Sequence, residues 1–377
     1  MELTFTEEQN TFRQSVAEFV AAEVTPVAEK QDRSGEFPRN WFRKCGELGY
    51  LGVRYPHEIG GSDLGFTSYC ILCEEIARGS LSMALTVAMQ CLMGTDFVFR
   101  LGTQKLKEKL LRPAITGEKI SAFALTELDA GSDLGAIRTT VKREGDEYVL
   151  DGNKTWVTNS SVADFFVVLA TRNPDLGTDA VDFFLVEKDA PGLTVGRDIQ
   201  KVGTRGSVCG KISLRNCRIP AENALGEKGT GLANMKEILS QVRVMMGALA
   251  LGLSRAAFEE AGKYSVERVA FGRPIGKFQA IRHKLVDMAL DIHIMHMLVY
   301  NAATRVEKGA RLMKESAMVK LFSTEAANRC ADNASRIFAS YGYDMDHPVQ
   351  RYFRDARFLL IGGGTPELLK NIIAKEL

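Results

Sequence analysis

Apolar positions recur every three to four residues from the start of the chain. Phe12, Val16, Phe19, Val20 and Val24 fall on one face of a helix predicted over residues 6–30. Thr6 is placed to cap it, and Glu7 and Glu8 lie in its first turn, where the helix dipole favours negative charge. Phe37-Pro38 opens a second helix ending near Gly46. Tyr55-Pro56 and Gly60-Gly61 punctuate a turn, and helical spacing resumes from Phe66 to Gly117. From about 119 to 225 the period changes. Glu147-Tyr148-Val149-Leu150, Phe165-Phe166-Val167-Val168-Leu169 and Phe183-Phe184-Leu185-Val186 are short β-branched or aromatic runs broken by Gly, Asp and Asn turns. They predict a small antiparallel β domain, with Pro220 and Gly226 at its exit. Long helices then return, over Met235–Glu267, Ile281–Glu307 and Ala310–Tyr341, with the apolar stripes of a bundle. The expected class is α+β, mainly α. It comprises an N-terminal helical domain (1–118), a middle antiparallel β domain (119–226) and a C-terminal four-helix-bundle domain (227–377).

At 377 residues the chain is long for one core, in keeping with several packed subdomains. Its 48 Lys and Arg against 47 Asp and Glu leave almost no net charge, and no basic stripe is visible, which argues against a nucleic-acid partner. No unbroken apolar run reaches bilayer length and Met1-Glu2-Leu3-Thr4 starts no signal peptide, so neither membrane nor export is expected. Seven scattered cysteines read as free thiols in a reducing cytoplasm; Cys70-x-x-Cys73 lies in an apolar helical run without a second pair. His293 and His296 have i, i+3 spacing but no third ligand in view, so no metal site is expected, and they and His283 read as core or interface residues.

Two polar segments interrupt this pattern. Phe123 to Asp133 reads as a strand running into a small-residue loop, in which Ala130-Gly131-Ser132 offers exposed amides and a hydroxyl to a polar or phosphorylated cofactor. Thr155-Trp156-Val157-Thr158-Asn159 offers an indole face and hydroxyls on a second strand, suited to holding a flat redox-active ring. Each segment alone is satisfied by a turn or a core tryptophan. The pair ahead of a long helical half is not.

Thr126-Glu127-Leu128-Asp129-Ala130-Gly131-Ser132-Asp133 resembles the T-E-x-x-A-G-S-D signature of acyl-CoA dehydrogenases, and Gly152 to Asn159 resembles that family's second signature. The likeness runs along the whole chain. Arg268-Val269-Ala270-Phe271-Gly272 through Gln279 looks like the segment whose Arg, Phe and Gln reach the FAD of a neighbouring subunit. The resemblance implies FAD as cofactor, held by Leu125, Thr126, Gly131, Ser132, Trp156, Val157, Thr158, Arg268, Phe271, Gln279, Ser340, Thr365 and Glu367. It implies Ser132, Gln90, Cys91, Arg243 and Gly364 near the substrate, with Arg243 beside a pantetheine arm. It also implies a homodimer or homotetramer, and electron-transfer flavoprotein is a possible acceptor.

Family chemistry removes a thioester's α-proton with a Glu while a hydride leaves the β-carbon. Counting back from Thr365 puts Gly363 at the usual Glu position. Anchoring on Gly252-Leu253 puts Val242 at the alternative one, followed by the expected Arg243. Neither residue accepts a proton, and the catalytic base is not identified. Cys91 has the wrong ordinary pKa, Glu127 reads as structural, and Asp96 as a local cap or ion-pair partner. Ser240 replaces an Asp, Pro366 is unusual in Thr365-Pro366-Glu367, and Ala339-Ser340 stands where the family has Gly-Gly. That last pair resembles the branch making hydroxymalonyl- and aminomalonyl-carrier-protein extender units for polyketide and mixed peptide pathways. The leading expectation is an FAD-dependent dehydrogenase of a phosphopantetheine-linked thioester on an acyl carrier protein. The alternatives are an acyl-CoA dehydrogenase with a relocated base, a flavin monooxygenase, and a non-catalytic flavin-bound scaffold.

Overall fold

A computed structural model describes residues 4–377. The chain starts with α1 (Glu7–Glu23), where Thr6 Oγ1 accepts from the Gln9 amide and the Gln9 side chain returns to the Thr6 amide. The predicted helix over 6–30 divides in two because Pro26 cannot donate to the ladder; a 3₁₀ turn over Thr25–Val27 leads into α2 (Ala28–Ser34). Then come α3 (Arg39–Glu47), α4 (Gly65–Gly79) and α5 (Leu81–Ala88), which runs through a π-helical turn at Met89–Gly94 into α6 (Asp96–Leu101). Two short helices, α7 (Gln104–Leu106) and α8 (Arg112–Ile115), complete this part.

The strands follow as β1 (Ser121–Ala124), β2 (Thr140–Glu144), β3 (Glu147–Thr158), β4 (Phe165–Thr171), β5 (Val181–Glu187), β6 (Leu193–Val195), β7 (Cys209–Pro220) and β8 (Ala224–Leu225). They form one sheet in the order β6-β7-β3-β2-β4-β5-β8, with β1 beside β4. The sheet is mixed rather than wholly antiparallel. β1 runs parallel to β4, from Ser121 opposite Phe165 to Ala124 opposite Val168, and a parallel bridge joins Thr140 to Thr171. A strand arriving from the helical half is seated alongside β4 in the interior, where parallel pairing is at home. All seven residues of β4 are buried, which explains its unbroken apolar run. Phe165, Val167 and Leu169 join the helical core, while Phe166, Val168 and Ala170 face a second core within the β region.

The last part holds α9 (Gly231–Glu267), a small ribbon of β9 (Val269–Ala270) and β10 (Arg273–Pro274), α10 (Gln279–Glu307), α11 (Met313–Phe338), α12 (Pro348–Leu359) and α13 (Pro366–Ala374). Two helical stretches, Leu81–Leu101 and Gly231–Glu267, are long and apolar enough to cross a membrane, which the sequence reading did not anticipate. Both are largely buried inside the fold, so the packing of helix on helix accounts for their composition. Glu74 and Glu75 on α4 accept ion pairs from Arg13 on α1 and Arg255 on α9, tying three helices by buried charge. All seven cysteines are buried and free.

Helices α4 and α9 approach closely at Gly252. A β-carbon there would overlap the Glu74 carbonyl and lie 2.9 Å from the Ala77 side chain. Because Gly252 has ordinary helical geometry, Gly252→Ala tests the crossing alone. It is expected to destabilise the protein by about 1–3 kcal/mol through overpacking. Denaturant unfolding of variant and parent measures the difference, and an unchanged midpoint would refute the close approach.

Candidate functional site

The two signature segments meet at one corner of the sheet. The Thr155 amide donates to the Thr126 carbonyl at 2.9 Å, and the Glu127 amide to the Ala130 carbonyl at 2.9 Å closes the turn that presents Gly131 and Ser132. Lys154 Nζ donates to the Leu125 carbonyl at 3.0 Å and to Glu127 Oε1 at 2.7 Å. Glu127 also accepts from the amides of Arg138 (2.7 Å) and Thr139 (3.0 Å). This carboxylate ties the loop to β3 and to the entry of β2, and is not free to take a proton from a substrate. Burial pushes the Glu127 carboxyl up, but the Lys154 charge and the hydrogen bonds outweigh it and hold the carboxyl below its ordinary value. Burial brings the Lys154 amine down to about 8 against the opposing pull of Glu127.

A bulge in β3 turns the indole outward. The β3–β7 register shifts between Lys154 and Val157, and Trp156 takes φ 56°. Trp156 is left 57% exposed while Val157 is buried beneath it and Thr158 is half-buried. Gly131 has nothing within 4 Å of the position a β-carbon would occupy, and Ser132 is exposed beside it. An open indole, a half-buried hydroxyl and a loop with free space before its amides fit a flat ring carrying a pyrophosphate.

The two positions at which a proton-accepting Glu was sought come together. Val242 lies on α9 and Gly363 in the turn between α12 and α13. A side-chain carbon on Gly363 would lie 3.7 Å from Val242 Cγ1 and 3.3 Å from Met246 Cγ, so both positions address one apolar spot. Gly363 also has φ 75°, a region that an L side chain enters only with strain. Beside it, Lys320 on α11 donates to the carbonyls of Gly364 (2.6 Å) and Leu360 (3.3 Å). Sequence reading missed Lys320; the signal was a lysine inside the apolar run Ala317-Met318-Val319-Lys320-Leu321. Arg243 is buried too, and its Nε and Nη1 have no hydrogen-bond partner among the described residues. Burial lowers the Arg243 guanidinium to about 10. Burial and then the charge of Arg243 bring Lys320 to about 8, so the two cations sense each other. Thr365 caps α13 by accepting from the Leu368 amide, and Pro366 occupies its first position, where no amide donor is needed. Glu367 is exposed in that first turn.

Gln90 and Cys91, expected near the substrate, lie inside the fold. Gln90 is fully buried, donating to the carbonyls of Ala114 and Lys119 and accepting from Ser121, so it braces the helices against β1. Cys91 is fully buried with its thiol 3.6 Å from the Tyr50 carbonyl, and burial raises its pKa well above the ordinary value. Asp96 pairs with Arg54 and Arg100. Ser240 donates to the Leu312 carbonyl at 3.0 Å, inside the bundle. Arg268, Phe271 and Gln279 lie on the surface of the chain, Phe271 almost wholly exposed. The Arg268 guanidinium sits 5.8 Å from the Tyr341 ring, next to exposed Ser340. Ala339 takes φ 54° and ψ −125°, a strained conformation where the family pattern has glycine. His283 and His293 are exposed, His296 packs edge-on against Phe5, and no group of three metal-ligating side chains occurs among the described residues.

Comparison with known proteins agrees along the whole chain. Residues 6–118, 122–217 and 229–377 match the models of the acyl-CoA dehydrogenase N-terminal, middle and C-terminal domains. The chain is 45% identical over 378 residues to benzylmalonyl-CoA dehydrogenase of Aromatoleum aromaticum, covering 100% of both. It is similar to a solved chain described as the electron transferring flavoprotein of Acidaminococcus fermentans, at 34% identity and TM-score 0.97, covering 100% of this chain and 99% of that one. It is also similar to the prolyl acyl carrier protein oxidase AnaB, at 31% identity and TM-score 0.95 over 99% of both chains.

The Glu127–Lys154 pair predicts an acid-side dependence of stability. Because the folded carboxyl lies below its ordinary value of 4.5, its contribution is fully present above 4.5 and is lost as pH falls through the folded value. Glu127→Gln, which strands the Lys154 ammonium, is expected to cost about 1–3 kcal/mol at pH 7. Unfolding titrations at pH 7 and pH 3 should show the difference from the parent shrinking in acid; a constant difference would refute the linkage.

Proposed function

The chain belongs to the acyl-CoA dehydrogenase family, and on that premise we propose that it oxidises a pantetheine-linked 2-carboxyacyl thioester with loss of carbon dioxide. It is an FAD-dependent oxidoreductase of acyl thioesters. The observation that carries the finer reading is the convergence of Val242 and Gly363 on one apolar spot, with no proton acceptor at either position. An ordinary saturated thioester needs a base to free an electron pair at its α-carbon. A malonyl-type thioester needs none, because the electrons of the bond between the α-carbon and the carboxylate are released as that bond breaks. They become the α,β double bond as a hydride leaves the β-carbon. Carbon dioxide and the enoyl thioester are the products, and the carboxylate's negative charge departs with the hydride, so no proton is taken up or released. Bound FAD supplies the two-electron acceptor for that hydride. The 45% identity to a protein named for benzylmalonyl-CoA, itself a 2-carboxyacyl thioester, supports the same substrate class.

We assign Leu125, Thr126, Gly131, Ser132, Trp156, Val157, Thr158, Thr365 and Glu367 to this protomer's FAD. Arg268, Phe271, Gln279 and Ser340, all exposed, are assigned to the cofactor of a second copy in a homodimer or homotetramer. Ser132, Arg243 and Gly364 would lie along the thioester. Val242 and Met246 keep water from the α-carbon, so that the electron pair is not quenched by protonation. The proposed electron acceptor is an electron-transfer flavoprotein, and the proposed compartment the cytoplasm.

A second reading keeps the carrier-protein substrate, an aminomalonyl- or hydroxymalonyl-type extender unit. The Ala339-Ser340 pair and the similarity to the prolyl acyl carrier protein oxidase support it. Oxidation of a hydrated 3-oxo group likewise requires no base at the α-carbon.

Anaerobic bleaching of the bound flavin tests both. Benzylmalonyl-CoA should bleach it with one carbon dioxide released per flavin reduced, and 3-phenylpropanoyl-CoA should leave it oxidised. Bleaching by 3-phenylpropanoyl-CoA would overturn the decarboxylative reading. Bleaching only by a hydroxyacyl- or aminoacyl-carrier protein, offered with its 3-hydroxyl dehydrogenase, would favour the second.

A further inference from the structure

We infer that Arg243 is the receptor for a carboxylate borne on the substrate's α-carbon, and so sets the selectivity of this site for 2-carboxyacyl thioesters. The inference rests on the substrate class proposed above and adds the residue that recognises it.

The geometry begins with an unmatched charge. Arg243 is 4% exposed on α9, and its Nε and Nη1 are buried without a hydrogen-bond partner among the described residues. The half-buried arginines show what a settled arrangement looks like here: Arg13 and Arg255 share Glu74 and Glu75, and Arg354 pairs with Asp32 at 2.5 Å. Arg351, the other buried arginine among the described residues, leaves only its Nε buried without a partner, where Arg243 leaves two nitrogens. A buried guanidinium without such a partner is costly, and a carboxylate is the group whose two oxygens match its fork. The chain could have supplied one at Val242, the residue before Arg243, or at Gly363, where a β-carbon would lie 3.7 Å from Val242 Cγ1. It supplies apolar atoms at both. The missing carboxylate is then brought by the ligand, at the place where the chain's own would have stood.

Lys320 strengthens the case from a second element. It is fully buried on α11, and two of its three ammonium protons are committed to the Gly364 and Leu360 carbonyls. Lys320 therefore holds the turn containing Gly363 against the bundle and adds a second positive charge close enough to Arg243 to depress its own pKa. Glu325 and Glu367 act on Lys320 less than Arg243 does, whereas burial alone accounts for the lowering of Arg243, so Arg243 is the cation left without a carboxylate.

The chemistry limits what Arg243 does. Its ion pair is strongest with the intact carboxylate and vanishes when neutral carbon dioxide forms. It therefore acts in binding and in aiming the bond that breaks, and it does not lower the barrier of the breaking step itself. Arg243 is a specificity-determining residue whose loss should appear in binding and KM before kcat.

Calorimetric titration of the FAD-loaded protein with malonyl-CoA and acetyl-CoA measures this without turnover, because neither has an oxidisable β-carbon. Wild-type protein should bind malonyl-CoA about tenfold or more tightly than acetyl-CoA, equivalent to about 1.4 kcal/mol. Arg243→Gln should erase that preference, whereas Arg243→Lys should keep part of it. Equal binding of the two ligands by wild type overturns the inference, and so does a preference that survives in Arg243→Gln. If Arg243→Gln does not fold, the wild-type comparison and Arg243→Lys still decide: equal wild-type affinities, or a wild-type preference undiminished in Arg243→Lys, overturn the inference. Carbon dioxide release from benzylmalonyl-CoA without a malonyl-CoA preference overturns this inference alone. A preference abolished by Arg243→Gln without carbon dioxide release supports the carboxylate receptor and overturns the decarboxylative reaction.

Discussion

The close approach of α4 and α9 at Gly252 governs how the rest of the protein is placed. A helix of 37 residues is buried along most of its length, and it can be so only because its neighbours come near. Gly252 lets the backbone of α4 lie against it, and the Glu74–Arg255 ion pair locks the crossing from the side. Ten residues toward its start, about 15 Å along the axis, the same helix carries Val242 and Arg243. Helix packing thus sets where the candidate reaction site can be, because α9 cannot slide or rotate without breaking the crossing.

Charge gives that site its character. Several buried carboxylates are matched: Glu127 with Lys154, Asp32 with Arg354, and Glu74 and Glu75 with two arginines. Near Gly363 the balance is different, with Arg243 and Lys320 on the cationic side and apolar Val242 and Met246 where an anion would complete the set. A low-polarity setting raises the energy of an unmatched charge and strengthens its attraction for an anionic ligand. The same residues that deny the site a proton acceptor leave it suited to a ligand that carries its own negative charge.

The corner proposed to face the flavin depends on a different kind of constraint. Trp156 stands out of β3 because the strand bulges after Lys154, and the bulge is held from behind by the Lys154 and Glu127 side chains and the Thr155–Thr126 backbone bond. A regular strand would rotate the indole away from its present outward position. The buried ion pair is thus a positioning device for an exposed surface, and its carboxylate is unavailable for proton transfer for that same reason.

Local order was legible in the amino-acid sequence because it arises from short-range physics. The 3.6-residue and two-residue periods, the Thr6 cap and the Pro26 break mark helices and strands where they occur. The two polar signatures also carried the family likeness from which FAD is expected. What the sequence could not carry was orientation and partnership. Nothing local predicts that β1 runs parallel to β4, that Gln90 is spent bracing Ala114, Lys119 and Ser121, or that Lys320 holds a turn some forty residues away. Val242 and Gly363 could each be read as a lost acid, yet only packing brings them to a single spot and leaves Arg243 beside it without a partner. Those facts depend on distances between segments remote in the chain, which are decided when the helices and sheet close on a shared core.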